Sequence, residues 1–148
     1  MKCLLFDLDN TLLEWPQELA QMKPQVEVLE LLRSLDATKA IVTAGSRRNQ
    51  QRKYRAAGLE AAIPSKNVFY CLVGKSKTRP ILNALEHLGF LARETLFVGD
   101  DPEYDIHSAH RAGCRTAWLS HGRSYPANLP QPTFTLNSLF ELSEHLHG

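Results

Sequence analysis

The chain contains 148 residues, of which 43% are hydrophobic and 22% charged. This length and balance predict a single soluble globular domain, residues 1–148, and exclude a largely disordered chain. Lysine and arginine number 17 against 16 aspartates and glutamates, which gives a net charge of +1. Such a charge argues against nucleic acid or an anionic membrane as a partner, so an anionic substrate must be held by local groups.

The cysteines and the N-terminal segment favour a cytoplasmic protein. Cys3, Cys71 and Cys114 are odd in number and widely spaced, which fits reduced thiols better than a disulfide or zinc scaffold. The first apolar run is interrupted by Asp7 and Asp9. It is therefore too short for a signal-peptide core or a membrane span.

Short apolar runs alternate along the chain with longer segments of helical periodicity. The runs predict five to six strands, at residues 2–7, 39–43, 68–73, 95–99, 115–119 and 133–136. Two apolar helical stripes lie between them, one of Val28, Leu31, Leu32 and Leu35 and one of Ile81, Ala84, Leu85 and Leu88. This alternation predicts an α/β fold, a three-layer Rossmann-like domain with a central, mostly parallel sheet and helices on both faces.

Prolines and glycines mark the predicted ends of the helices. Pro24 and Pro80 stand where two helices would begin, and Gly58, Gly89 and Gly113 stand where helices would end. A loop over residues 120–132 contains three prolines and leads to a final predicted helix near residues 138–145.

Polar residues follow four of the predicted strands at their carboxyl ends. They are, in chain order, residues 7–11 (DLDNT), Thr43, Lys75 with Lys77, residues 99–101 (GDD) and Asp105. Ligands of open parallel sheets bind at this edge, so we expect these side chains to meet there. Clustered carboxylates repel one another, and an all-oxygen group of this kind favours Mg²⁺ as the compensating cation.

This set of groups suits phosphoryl transfer. A carboxylate can attack phosphorus and form an acyl phosphate, and a second carboxyl group can protonate the leaving oxygen and later deprotonate water. A hydroxyl and an ammonium group can bind the negative charge of the transferred group.

Residues 7–12, DLDNTL, resemble the first motif of the haloacid dehalogenase superfamily. The resemblance implies that Asp7 is the nucleophile and that Asp9 is the general acid/base. Dehalogenating members lack an acid at the second position and ion-pumping ATPases carry Thr there, so Asp9 favours a phosphatase. An isolated Asp-x-Asp after a strand is often only a turn or a helix cap, and the other motifs decide in favour of function.

Two further motifs of the superfamily match later segments. Thr43, at the end of AIVT, matches the second motif, whose hydroxyl binds the phosphoryl group, and we assign the adjacent Ala44 to the same phosphate-binding segment. Residues 99–106, GDDPEYDI, resemble the fourth motif, whose acids hold Mg²⁺. The metal ligands implied by the resemblance are Asp7, Asp9 through its backbone carbonyl, Asp100, and Asp101 or Asp105, directly or through water.

The third motif is a lysine, and the sequence leaves two candidates. Lys75 has the spacing from Gly89 of members with a Lys-Pro-x-Pro segment, whereas Lys77 has the shorter spacing of others. Ser76 and Thr78 occupy the positions of the two prolines, which weakens the case for Lys75. Both remain candidates for phosphate binding.

Other polar and aromatic residues have simpler interpretations. The basic segment 47–55 could hold the remote part of an anionic substrate, but a solvated helix face is favoured. Trp15 and Trp118 are interpreted as packing residues, although Trp15 is close enough to the first motif to touch substrate.

The sequence contains no segment long enough for a cap domain. About eleven residues separate Leu12 from Pro24, and residues 46–74 are filled by one helix and one strand. The resemblance therefore implies a capless member with an open site. We expect a phosphorylated small molecule or phosphoprotein as substrate, or a second copy of the chain that covers the site. The alternatives are a phospho-accepting interaction module and a non-catalytic member.

Overall fold

A computed structural model describes residues 1–14 and 19–146. Trp15, predicted to pack or to touch substrate, lies outside these residues.

Within residues 1–14 and 19–146, six parallel strands form one sheet. They are β1 (Cys3–Phe6), β2 (Thr38–Ala44), β3 (Val68–Cys71), β4 (Thr95–Gly99), β5 (Arg115–Leu119) and β6 (Phe134–Leu136). Their order across the sheet is β3-β2-β1-β4-β5-β6. The predicted α/β fold is confirmed, and β4 and β5 have the predicted bounds. β3 ends two residues earlier than predicted, because Leu72 and Val73 are apolar but leave the sheet and are exposed.

In the part of the chain that the structure describes, five α-helices connect or follow the strands. They are α1 (Val26–Ser34), α2 (Arg47–Ala56), α3 (Thr78–Leu88), α4 (Ser108–Ala112) and α5 (Leu142–Leu146). A π-helix, Pro102–His107, precedes α4, and short 3₁₀ turns occur at Leu19–Gln21, Leu59–Ala61, Ser65–Asn67, Ala92–Glu94 and Leu139–Glu141. Within the described ranges, no helix is long and apolar enough to cross a membrane.

The ends of the helices follow the predicted signals. Gly89 and Gly113 adopt left-handed conformations directly after α3 and α4, with φ of 82° and 92°. Such a backbone favours glycine because a side chain would be strained there. Ser46 begins α2, where its hydroxyl accepts a hydrogen bond from the Asn49 N–H at 3.1 Å.

The core lies on both faces of the sheet, as a parallel sheet requires. Successive residues of a strand point to opposite faces, so Leu4 and Phe6 join one cluster and Cys3 and Leu5 the other. Side chains of α1, α2 and α5 cover the first face, and those of α3 and α4 cover the second. The three-layer architecture follows directly.

The strand order places a crevice at the carboxyl end of β1. β1 lies between β2 and β4, and the chain connections diverge to either side of it. This switch point is where open α/β sheets bind ligands. Asp7 is the first residue after β1, so the fold delivers its carboxylate into the crevice.

Candidate active site

Asp7 lies at the centre of the crevice and is only 8% exposed. Its N–H donates to the Val98 carbonyl at 3.0 Å, which continues the β1–β4 pairing beyond the end of the strand. Burial raises the pKa of Asp7 well above its usual range, and the nearby Asp105 carboxylate raises it further. Lys77 opposes both effects. The carboxylate is therefore held where ionisation is costly without additional positive charge.

Lys77 supplies the ammonium group of this centre. Its Nζ donates to Asp7 Oδ1 at 2.9 Å, to Asp105 Oδ1 at 2.7 Å and to the Val42 carbonyl at 3.2 Å. Burial alone would lower the pKa of Lys77, but the two carboxylates outweigh it and raise that pKa above its usual range. The lysine thus stays charged although it is almost fully shielded from solvent, with only 3% of its surface exposed.

The loop before α3 directs the side chain of Lys77, and not that of Lys75, towards Asp7. The Lys77 N–H donates to Ser108 Oγ at 2.9 Å, which fixes the backbone as its side chain turns inward. Lys75 is exposed and lies at the wall of the adjacent cavity. The geometry therefore distinguishes two lysines that spacing alone left equivalent.

The π-helix after β4 holds the second buried acid. Asp105 is 1% exposed, and its Oδ2 accepts a hydrogen bond from the Asp101 N–H at 3.1 Å. A Cβ atom on Gly99 would lie only 2.6 Å from Asp105 Cβ and Oδ2, so a side chain at residue 99 would displace this carboxylate. Asp101 caps the π-helix, because its Oδ1 accepts from the Glu103 and Tyr104 N–H groups.

Residues of β5 and of the loop after it position Asp100 through hydrogen bonds to its backbone. The Trp118 indole and the Arg123 guanidinium donate to its backbone carbonyl at 2.8 and 2.7 Å. Burial and then Asp105 raise the pKa of Asp100 to about 6, while Arg123 works in the opposite direction. Trp118 is buried as predicted, but the sequence did not reveal that it and Arg123 orient an acidic residue.

Asp7, Asp100 and Asp105 form a cluster that could hold a metal ion. One carboxylate oxygen from each lies within 4.8 Å of the others. Lys77 pairs with Asp7 and Asp105, and the partly exposed Arg123 lies 3.6 Å from Asp100 Oδ2, so three acids face two positive charges and all the donors are oxygen atoms. Such a set fits Mg²⁺. Among the described residues, the clustered side chains do not include Asp9 or Asp101, whose roles at the metal stay predictions.

Asp9 is held separately, by α2. Gln50 Nε2 donates to Asp9 Oδ2 at 2.9 Å and to Thr43 Oγ1 at 2.7 Å, and Lys53 Nζ lies 3.0 Å from Asp9 Oδ1. Gly45 makes room for this bridge, since a Cβ there would lie 2.9 Å from Gln50 side-chain carbons. One amide thus links the predicted acid/base to the predicted phosphate-binding hydroxyl.

Gln50 was not predicted from the sequence, and the predicted solvated basic face of α2 holds only in part. Arg47, Arg48, Arg52 and Arg55 are exposed, as a solvated basic face predicts. Lys53 instead turns towards Asp9. The sequence feature that comes closest to indicating the role of Gln50 is Gly45, whose φ of 141° would be strained for another residue.

A cavity of about 300 Å³ opens above these groups. Its walls include most of the predicted site residues: Asp7, Asp9, Ala44, Lys75, Lys77, Asp100, Asp101 and Asp105. Thr43 is fully buried, with its hydroxyl bound to Gln50. The structure therefore brings the residues of four separate strand ends to one opening.

Comparisons with known proteins agree with this fold. The haloacid dehalogenase-like hydrolase family matches residues 14–119. A phosphoglycolate phosphatase from Pectobacterium atrosepticum is 36% identical over 73 residues, 48% of this chain and 31% of that protein. The chain thus spans about a third of the length of this curated relative.

Two solved structures illustrate the structural likeness. A HAD phosphatase from Thermococcus onnurineus has a TM-score of 0.75 and 19% identity, and the match covers 100% of this chain and 99% of that one. A 2-haloacid dehalogenase from Pseudomonas syringae pv. Tomato has a TM-score of 0.68 and 27% identity, over 86% of this chain and 54% of that one. The same fold thus occurs in relatives with different chemistry.

Proposed function

This chain belongs to the haloacid dehalogenase-like hydrolase family, and we propose that it is a Mg²⁺-dependent phosphomonoesterase that forms an aspartyl-phosphate on Asp7. The observation that carries the proposal is the buried contact of Lys77 with both Asp7 and Asp105, beside Asp100, at the carboxyl end of β1. The hydrolase family and the phosphatase among its relatives support the same reaction class.

The two aspartates of the first motif have different roles in the reaction. An Asp7 carboxylate oxygen attacks phosphorus, and the bond from phosphorus to the ester oxygen breaks. Asp9 gives its proton to the departing oxygen and then accepts a proton from the water that attacks the acyl phosphate. Inorganic phosphate leaves and Asp7 is regenerated. The roughly 300 Å³ cavity bordered by both carboxylates would hold the phosphoryl group.

The remaining site residues would stabilise the negative charge of the phosphoryl group. Mg²⁺, when bound by Asp7, Asp100 and Asp105, would neutralise negative charge on the phosphoryl oxygens. The Lys77 ammonium group lies beside the nucleophile and would stabilise the same charge from within the protein. Thr43 is fully buried and accepts a hydrogen bond from Gln50, so its own hydroxyl proton would remain to be donated to the phosphoryl group.

Asp9 favours phosphatase over dehalogenase chemistry. Displacement of a halide needs no proton for the leaving group, whereas an alkoxide leaving group does. Asp9 borders the cavity and is oriented by both Gln50 and Lys53, so an acid is held where such a proton is required.

We further propose that the site is capless and that the protein is cytoplasmic. Only α2, two 3₁₀ turns and β3 lie between β2 and the loop that carries Lys77. An open site suits a phosphorylated small molecule or a phosphoprotein, or a second copy of the chain could cover it. The three free cysteines fit a reducing compartment.

The direct test is hydrolysis of a generic aryl phosphate with and without Mg²⁺. We expect turnover only with Mg²⁺, and we expect Asp7→Asn to lower kcat by at least about 10³-fold, because the amide is not a nucleophile. Asp36→Asn is the matched control, since Asp36 is exposed and precedes β2 at the opposite edge of the sheet.

The control variant should keep wild-type activity. Full Mg²⁺-dependent turnover by the Asp7→Asn protein would contradict the proposal. Turnover without any added or bound divalent ion would remove its metal-dependent part.

A further inference from the structure

The mouth of the cavity carries an unusual patch of exposed apolar surface. Residues 72–76 are all exposed and lie between the half-buried end of β3 and the buried Lys77. Within this loop, Leu72 and Val73 are 72% and 73% exposed, the largest values of any exposed large apolar side chain in the described chain. Val73 borders the same cavity as Asp7. Large apolar groups in such a position commonly mark a binding surface.

Tyr104 adds a second large side chain to the wall of the cavity. It lies in the π-helix after the acidic residues that follow β4, is 38% exposed, and borders the cavity together with Val73. Gly74 and Tyr104 also border a second cavity of about 280 Å³, which is lined mainly by polar and charged side chains. Val73 and Tyr104 are therefore large apolar side chains that border the phosphoryl cavity.

Lys75 adds one positive charge to this wall. It is exposed, borders the cavity, and makes no ion pair among the described residues. Asp101 borders the same cavity, but its carboxylate already accepts hydrogen bonds from two backbone N–H groups. Since Lys77 already contacts the nucleophile, Lys75 is available for a different part of the substrate.

We propose that Val73, Tyr104 and Lys75 select the leaving group, and that the preferred substrate is a phosphomonoester whose leaving group combines an apolar or aromatic portion with a carboxylate. The apolar portion packs against Val73 and Tyr104, and the carboxylate pairs with Lys75. This inference rests on the proposed function, but it concerns residues outside the reacting centre.

Three substrates with leaving alcohols of similar basicity separate these contributions: ethyl phosphate, benzyl phosphate and 3-carboxybenzyl phosphate. For the wild-type protein we expect kcat/KM to rise about tenfold from ethyl to benzyl phosphate, because an apolar group is desolvated. A further gain of about two- to fivefold is expected from the carboxylate, as for an exposed ion pair.

Two variants assign each preference to a side chain. Val73→Ser should reduce the preference for benzyl over ethyl phosphate by about threefold or more. Lys75→Gln should abolish the preference for the carboxylated substrate, while Lys66→Gln, which removes an exposed lysine before β3, should keep it. Calorimetric binding of the same substrates to Asp7→Asn protein should give the same order of affinity.

Each contrary result has a distinct meaning. If Lys75→Gln lowers activity equally on all three substrates, Lys75 binds the phosphoryl group and the inference fails. If Val73→Ser changes the native mass of the protein and not the preference, the surface joins two copies of the chain. Turnover without preference overturns this inference alone, whereas neither turnover nor binding overturns the proposed function with it.

Discussion

Asp7 and Asp9 are two residues apart but have different surroundings. Asp7 is buried against Lys77, Asp105 and Asp100, which come from segments after β3 and β4. Asp9 is partly exposed and is held by Gln50 and Lys53, which both come from α2. One strand end thus gives two carboxylates partners from different segments of the fold.

The difference indicates how one motif can support two roles. Around Asp7 the buried charges are unbalanced, a state that a divalent cation and a phosphoryl group can relieve. Around Asp9, the neutral amide of Gln50 and the ammonium group of Lys53 fix the orientation of the carboxylate. We therefore expect changes near Asp7 to alter activity and stability together, and changes near Asp9 to alter mainly turnover.

The largest effect should come from Lys77→Met. This change leaves Asp7 and Asp105 facing each other without the intervening ammonium group. We expect kcat to fall by about 10³-fold, and we expect the free energy of unfolding to fall by about 3–5 kcal/mol, because a buried charge loses its partner. Denaturant titration together with aryl phosphate hydrolysis measures both.

Lys75→Met is the matched control for stability. Its exposed side chain makes no ion pair among the described residues, so the free energy of unfolding should change by less than about 0.5 kcal/mol. If the two variants had the same stability, Lys77 would not be the cation that stabilises the buried centre. A Lys77→Met, Asp105→Asn double variant should recover part of the loss, since one of the opposed charges is removed.

A smaller effect is expected from Gln50→Leu. The change removes the amide that joins Asp9 to Thr43 while keeping a side chain of similar size. We expect kcat to fall by about 10–100-fold, in the range found when a residue that orients a ligand is removed, with a much smaller change in KM. Steady-state kinetics on one aryl phosphate separates the two parameters.

Gln51→Leu provides the control at the next position of α2. It should retain wild-type kcat. Equal losses for the two variants would mean that α2 was disturbed as a whole, and an unchanged kcat for Gln50→Leu would show that Asp9 needs no support from the helix.

The smallest effect concerns the dependence of stability on pH. The pKa of Asp100 is raised to about 6 in the folded protein, whereas an unfolded chain ionises near its ordinary value of about 4. Between these values the folded state binds more protons than the unfolded state. Without Mg²⁺, the contribution of Asp100 to the free energy of unfolding should therefore fall as pH rises from about 4 to about 6.

Denaturant titrations in the presence of a chelator can measure this slope. Asp100→Asn should flatten it, whereas Asp36→Asn should leave it unchanged because Asp36 is exposed. Adding Mg²⁺ should raise the stability of the wild-type protein most above pH 6, where the carboxylate is ionised. An Asp100→Asn slope equal to wild type would contradict the raised pKa.

The fold was predictable because both faces of the sheet are buried. Continuous apolar runs then mark strands directly, and residues 95–99 and 115–119 are strands with the predicted bounds. The prediction for β3 extended too far because apolar residues were taken as buried residues. Leu72 and Val73 instead face solvent, and Val73 borders the cavity.

The site was predictable where it depends on strand ends and not where it depends on tertiary orientation. Asp7 and Asp100 follow strands, so their meeting follows from a parallel sheet. Spacing from Gly89 could not separate Lys75 from Lys77, because the decisive contact is with Ser108, 31 residues after Lys77. Gln50 was missed for the same reason: its partner Asp9 is 41 residues away.

The most direct test of the central claim is to trap the acyl phosphate on Asp7. The protein is mixed with an aryl phosphate and Mg²⁺, quenched during turnover and reduced with borohydride, which converts an aspartyl-phosphate to homoserine. Peptide mass spectrometry should then find homoserine at residue 7, only when substrate and Mg²⁺ were both present. Modification at another residue, or rapid turnover with Asp7 unmodified, would contradict the nucleophilic role of Asp7.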